Sequence, residues 1–150
     1  MPRIRFTKEG YEKLKKDYEE LLKQRPAAVL DLKTAREMGD LSENGYYKAS
    51  RAKLSFIDGQ LRRCSWNLKH ALIIEETSGN GVGIGKTVTL TDGKKEVTYT
   101  IVGDLEADPS QGKISLLSPL GKALTNKQLG EEVLLETPAR KIIYTITKIA

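Results

Sequence analysis

Two apolar seams of the same period, separated by a short turn cluster, restrict the first half of this chain more than any other feature. Tyr11, Leu14, Tyr18, Leu21, Arg25, Ala28, Leu32 and Ala35 are spaced alternately three and four residues apart, an a/d seam broken only by Arg25. Tyr47, Ser50, Leu54, Ile57, Leu61, Cys64, Leu68 and Ala71 repeat that alternation. Between the seams, Gly39-Asp40-Leu41-Ser42-Glu43-Asn44-Gly45 is a cluster of turn and cap residues. So short a connection folds the second helix back antiparallel on the first. The spacing therefore predicts a coiled-coil hairpin over 1–75 with its tip at 39–45. Roughly 28 residues of helix make a rod about 42 Å long, which carries the tip far from any globular body. Pro26 opposes this reading, because an interior proline removes a helix hydrogen bond and costs about 3 kcal/mol. A kink is expected near Arg25 and Pro26, with the seam resuming at Ala28.

The period changes after Glu76. Gly79, Gly81, Gly83 and Gly85 mark residues 76–85 as a linker. Beyond it, Val88 and Leu90, then Val97, Tyr99 and Ile101, alternate with polar residues as strands do. Residues 114–117, 133–135 and 142–149 are further strand candidates, and Pro119 suits the first turn of a short helix ending near Leu124. The expected fold class is α+β, a helical hairpin followed by a small α+β domain over 86–150, without an internal repeat.

Charge divides along the same boundary. Residues 1–75 hold 16 Lys/Arg against 11 Asp/Glu, whereas 76–150 hold 9 of each, so the whole surplus of +5 lies in the hairpin half. Such a balance permits a polyanionic partner. Cys64 is the only cysteine, which excludes an internal disulfide, and no Cys or His stands near it at metal spacing. No run of 18 apolar residues exists, and the first residues lack the apolar stretch of a signal peptide. A cytoplasmic protein without membrane contact is the expectation.

Three features invite chemistry. Asn80 to Thr87 nearly matches a phosphate loop, but Asn80 replaces the first required glycine, a helix precedes it and alternating β-branched residues follow, so a linker is the better reading. His70, beside Lys69 near the end of the second helix, suits the helix C-terminal dipole. Trp66 lies off the seam and suggests contact with the second domain or with a partner. Asp40 and Glu43 are sharper. As Asp-x-x-Glu they fit a capping box, Asp40 accepting from the Glu43 amide and Glu43 reaching back. At the tip of a positively charged rod they also suit a second role, since Mg²⁺ takes one or two protein carboxylates and completes its shell with water and phosphate. Two acids there can supply half a metal site to another protein's phosphodiester chemistry.

These residues are similar to a known family. Ala35-Arg36, then Gly39-Asp40-Leu41-Ser42-Glu43-Asn44 and Tyr47, resemble the tip motif of the bacterial Gre transcript cleavage factors, the GreA branch most closely. The resemblance extends to Thr7-x-x-Gly10-x-x-x-Leu14, to Tyr99-x-Ile101-Val102-Gly103-x-x-Glu106-Ala107-Asp108, to Ile114-Ser115 and to Ser118-Pro119-Leu120-Gly121-x-Ala123-Leu124. It implies an N-terminal antiparallel coiled coil and a C-terminal FKBP-like domain that docks on bacterial RNA polymerase, the coiled coil entering the secondary channel as a monomer. It further implies that Asp40 and Glu43 share a Mg²⁺ with polymerase and act at the 3′ end of nascent RNA in backtracked complexes, the factor completing another enzyme's site rather than being one. Leu41, Ser42, Asn44, Tyr46 and Tyr47 would support the tip. Asp104, Glu106, Ser118, Pro119 and Leu120 would contribute to docking.

Gly45 and Tyr46 stand where the family usually has Ala and Glu, and Gln60 where it commonly has Arg. Gly45 weakens the first turn of the second helix by up to about 1 kcal/mol relative to Ala, and Tyr46 removes a third tip carboxylate. A secondary-channel regulator or inhibitor without cleavage activity is the alternative. The implied FKBP-like domain alone suggests a peptidyl-prolyl isomerase or chaperone, but Tyr99 and Tyr144 both fall on strand patterns and leave no evident aromatic proline pocket.

Overall fold

The two seams become two long helices. The structure is a computed structural model and describes residues 3–39, 43–75 and 79–150. The chain runs β1 (Ile4–Phe6), α1 (Lys8–Arg36), α2 (Gly45–Lys69), β2 (Ala71–Ile73), β3 (Thr87–Thr91), β4 (Glu96–Val102), a 3-10 turn (Pro109–Gln111), β5 (Lys113–Ser115), α3 (Pro119–Leu124), β6 (Glu132–Glu136) and β7 (Lys141–Ile149). It divides into two compact units, residues 12–70 and residues 1–11 together with 71–150. Among the described residues no helix is long and apolar enough to cross a membrane.

In the helical unit every seam residue of both helices except Arg25 is buried or half-buried. Ala28, Leu32 and Ala35 of α1 and Ser50, Ile57 and Cys64 of α2 are fully buried. Arg25 breaks the seam because it serves a different contact. Its Nε donates to Asp58 Oδ1 at 2.6 Å and its Nη2 to Asp58 Oδ2 at 3.3 Å, a two-point ion pair across the hairpin. Arg25 lies 11 residues before the end of α1 and Asp58 13 residues after the start of α2, so the pair joins positions at similar distances from the turn, as an antiparallel hairpin requires. Pro26 does not end α1, which continues unbroken to Arg36. Its missing N–H would have met the Leu22 carbonyl, and both residues lie on an exposed flank where water can donate instead.

Beyond α2 the chain closes tightly. His70 is its C-cap, with the imidazole Nδ1 at 2.8 Å from the Trp66 carbonyl. Trp66, off the seam as expected and half-exposed, stacks on His70 with ring centroids 4.0 Å apart. Cys64 is a free buried thiol, and burial, with a further push from Asp17, raises it above the usual thiol range.

The second unit is built on a five-stranded sheet of order β5-β4-β3-β7-β6, antiparallel except for the parallel β4–β5 pair. Strand alternation places Val88, Leu90, Ile101, Val133 and Ile146 on one face, where they form the core with Val82 and Leu124. The other face is polar along β3 and β4, with the Thr87 and Thr100 hydroxyls 3.1 Å apart and those of Thr89 and Thr98 3.4 Å apart, whereas Leu134 and Ile143, paired between β6 and β7, stand exposed on it.

Two boundaries differ from the sequence reading. Residues 1–11 group with the C-terminal unit rather than with the hairpin, because β1 pairs in parallel with β2 and Ile4 lies opposite Ala71. Ala71, the last position of the second heptad seam, is therefore the first residue of a strand. The glycine-rich stretch is not a free linker over its second half, since Val82, Gly83 and Ile84 are buried. Val82 N–H donates to the Lys127 carbonyl at 2.8 Å, its own carbonyl accepts from Asn126 N–H at 3.0 Å, and Gly85 N–H donates to the Ile101 carbonyl at 2.8 Å. In its first half Gly79 and Asn80 are exposed and outside any helix or strand, and residues 76–78 lie outside the described residues.

Candidate functional site

The tip is assembled from two helix ends, each of which leaves backbone groups without intrahelical partners. At the end of α1, Glu37 N–H donates to the Thr34 carbonyl at 3.2 Å and Met38 N–H to the Ala35 carbonyl at 3.2 Å, tightening the last turn. Gly39 follows with φ +108°, the left-handed conformation that a side chain disfavours and that turns the chain out of the helix. Asp40, Leu41 and Ser42 lie outside the described residues. The chain re-enters at Glu43, which is exposed.

The N-cap of α2 is Asn44, not Asp40. Its backbone is extended, its Oδ1 accepts from Tyr47 N–H at 3.1 Å, and its carbonyl accepts from Lys48 N–H at 3.1 Å. The capping-box reading of Asp40 and Glu43 therefore does not hold for α2. Glu43 precedes the cap, whereas a capping-box glutamate stands three residues after it. Among the described residues Glu43 makes no capping bond to α2. The same Asn44 amide donates from Nδ2 to the Ala35 carbonyl at 3.2 Å. Tyr47 is half-buried on the seam, while Tyr46 is exposed, its hydroxyl 3.5 Å from Asp31 Oδ1.

The residues expected to dock fall elsewhere and mostly face inward. Asp104 accepts from Arg5 N–H at 2.8 Å and pairs with the Arg5 guanidinium at 2.9 Å. Glu106 accepts from Thr7 N–H at 2.8 Å, from the Thr7 hydroxyl and from Gly103 N–H at 2.9 Å. A side chain at Gly10 or Gly103 would collide with this carboxylate, 2.1 Å and 2.2 Å from its oxygens. Both acids thus clasp the N-terminal segment within their own unit. Ser118 caps α3, its hydroxyl accepting from Gly121 N–H at 3.0 Å and donating to the Ser115 carbonyl at 2.8 Å. Leu120 packs against the core, and only Pro119 of the five candidates is exposed. Sequence reasoning passed over Leu105 and Leu117, 57% and 52% exposed beside these residues; Leu117 closes the 114–117 strand candidate and so read as part of a strand.

Among the described residues no group of three or more His, Cys, Asp or Glu could hold a metal ion. An open groove of the helical unit is lined by Tyr18, Leu61, Arg62, Ser65, Trp66 and Lys69.

Comparison with known proteins agrees across the whole chain. The family described as "Transcription elongation factor, N-terminal" matches residues 4–73, and "Transcription elongation factor, GreA/GreB, C-term" matches residues 77–150. Curated relatives named transcription elongation factor GreA include those of Thermodesulfovibrio yellowstonii, 42% identical over 99% of this chain and 97% of the relative, and of Staphylococcus aureus, 46% identical over 89% and 87%. The Bacillus subtilis protein of that name is 42% identical over 97% of this chain and 95% of its own. Among solved structures, GreA factor homolog 1 of Thermus thermophilus is 28% identical, covering 99% of both chains with a TM-score of 0.48. This chain belongs to the GreA/GreB family of transcription elongation factors.

Proposed function

We propose that the protein binds bacterial RNA polymerase, inserts its helical hairpin through the secondary channel, and stimulates Mg²⁺-dependent endonucleolytic cleavage of the nascent RNA 3′ end in backtracked, arrested complexes. It acts as a monomeric accessory factor that completes the polymerase site. The observation that carries this reading is the exposed Glu43 carboxylate at the turn of the hairpin, released from capping because Asn44 performs that task.

The donor chemistry fits a shared ion. An exposed carboxylate with Asp40 three residues before it supplies one or two hard oxygen ligands, which is what Mg²⁺ takes from a single protein beside phosphate and water. Asp40 and Glu43 would hold the ion jointly with polymerase carboxylates, and a Mg²⁺ there supplies charge stabilisation to the attacking and leaving oxygens of an in-line displacement. This chain's own residues do the rest. Glu43 offers acceptor oxygens that orient a water, Asn44 caps α2 beside it, and Tyr46 and Tyr47 follow in the first turn of that helix. The basic surplus of residues 1–75 favours approach to a polyanionic complex.

The test is to add the protein with Mg²⁺ to a purified backtracked complex and follow 3′-labelled RNA. Release of short 3′ fragments by wild type, lost in Asp40→Asn, is the expected result. Tight binding without release would replace this reading with that of a secondary-channel inhibitor.

A further inference from the structure

We infer that Asn44 is a positioning residue whose one carboxamide ties the last turn of α1 to the first turn of α2, and so holds the base of the segment carrying Asp40 and Glu43. Its two halves do opposite jobs. Oδ1 satisfies an orphan donor at the start of α2, the Tyr47 N–H at 3.1 Å, and Nδ2 reaches an acceptor at the end of α1, the Ala35 carbonyl at 3.2 Å. Reversing the amide would set NH₂ against N–H and oxygen against oxygen, so a single orientation satisfies both helix ends. The Ala35 carbonyl also accepts from Met38 N–H, and Ala35 is fully buried, so this end of the tie is anchored in the seam.

The side chain that can do this is narrowly defined. Aspartate caps a helix as well as asparagine but has no donor, and serine caps but is a bond shorter. Aspartate cannot donate to the Ala35 carbonyl at all, and the shorter serine hydroxyl would have to serve both helix ends from a single atom. Asn44 stands next to Glu43 in the chain, so slack at this point moves the carboxylate directly. A displacement of about 1 Å at a reacting centre costs up to about a hundredfold in rate. The tie therefore governs how well the tip performs once bound rather than how tightly the protein binds.

The activity arm of this inference rests on the proposed cleavage function; the structural arm does not. Asn44→Asp and Asn44→Ser in the full chain keep the cap of α2, and thermal unfolding verifies that each variant folds. In amide hydrogen exchange, Asn44→Asp is expected to speed exchange at residues 36–39 several-fold, with Tyr47 N–H still protected; unchanged exchange at 36–39 overturns the tie. In the transcript-release assay, both variants are expected to lower the maximal rate by about tenfold or more, with the half-saturating protein concentration within about twofold of wild type. An unchanged maximal rate, or a loss confined to the half-saturating concentration, overturns the positioning role. If wild type itself releases nothing, the cleavage function fails while the exchange result still decides the tie.

Discussion

Arg25 of α1 and Asp58 of α2 form a two-point ion pair, so the one charged residue in the apolar seam is answered directly from the opposite helix. The Arg25 hydrogen bond holds the Asp58 carboxyl below the usual carboxylate range, and the same bond raises Arg25. A carboxyl lowered by folding stabilises the native state above its unfolded pKa, about 3.9, and that contribution disappears as pH falls through the folded value. Asp58→Asn should therefore unfold at a lower temperature than wild type at pH 7, with the gap closing toward pH 2. Because the pair is open to solvent, the gap should also shrink with added salt. Thermal unfolding at several pH values checks this, and a gap independent of pH would contradict it.

Glu106 links the beginning of the chain to its second half. It accepts two bonds from Thr7 and one from Gly103, so Glu106→Gln turns a pure acceptor into a group that sets N–H against N–H. A loss of about 2 kcal/mol in denaturant unfolding is expected, the scale for a hydrogen bond to a charged group. Gly10→Ala should destabilise as well, since its Cβ would lie 2.1 Å from the Glu106 carboxylate. Combined with Glu106→Ala, which removes the obstruction, the Gly10→Ala cost should largely vanish in a double-mutant cycle.

Gly121 in α3 tolerates no side chain. A Cβ there would stand 2.0 Å from the Ser115 carbonyl oxygen, a backbone atom that cannot rotate away. Gly121→Ala should cost about 1–3 kcal/mol, the range for overpacking, and should speed amide exchange across β5 and α3.

Gly45 behaves in the opposite way. It opens α2, has no neighbour within 4 Å of an added Cβ and needs no left-handed backbone. Gly45→Ala should raise the stability of the helical unit by about 0.5 kcal/mol, at the low end of such exchanges because the site is terminal. Circular dichroism melts would show it, and a lower midpoint would contradict it.

The helices were legible because seven residues of each seam, all but Arg25 and Ala71, lie buried or half-buried on a helix at heptad spacing, and strands β3 and β4 because apolar and polar residues alternate there. Other features were hidden for physical reasons. Strand β1 is three residues long and gains its identity only by pairing with Ala71 to Ile73, a long-range event with no local signature. Val82 and Ile84 were masked by the glycines around them, although two apolar residues at a spacing of two are what a buried extended segment needs. At the tip, Asp40-x-x-Glu43 satisfies the capping-box spacing, but Asn44 competes for the same helix start and also gains the Ala35 carbonyl, so α2 begins four residues later than a cap at Asp40 would require. The motifs that carried the family resemblance outside the tip, Thr7 with Gly10, Gly103 with Glu106, and Ser118 with Gly121, meet as a clasp and a helix cap; their spacing in sequence gives no hint that the first two meet each other.

The most direct measurement is the rate at which 3′-labelled RNA fragments leave a backtracked polymerase complex across a Mg²⁺ titration, with wild type compared with Asp40→Asn and Glu43→Gln. Two carboxylates that help hold a shared ion predict release by wild type, a fall of about a hundredfold or more in either variant, and a shift of any remaining activity to higher Mg²⁺. Release by the variants at the wild-type rate, with the same dependence on Mg²⁺, would contradict a role for these carboxylates in transcript cleavage.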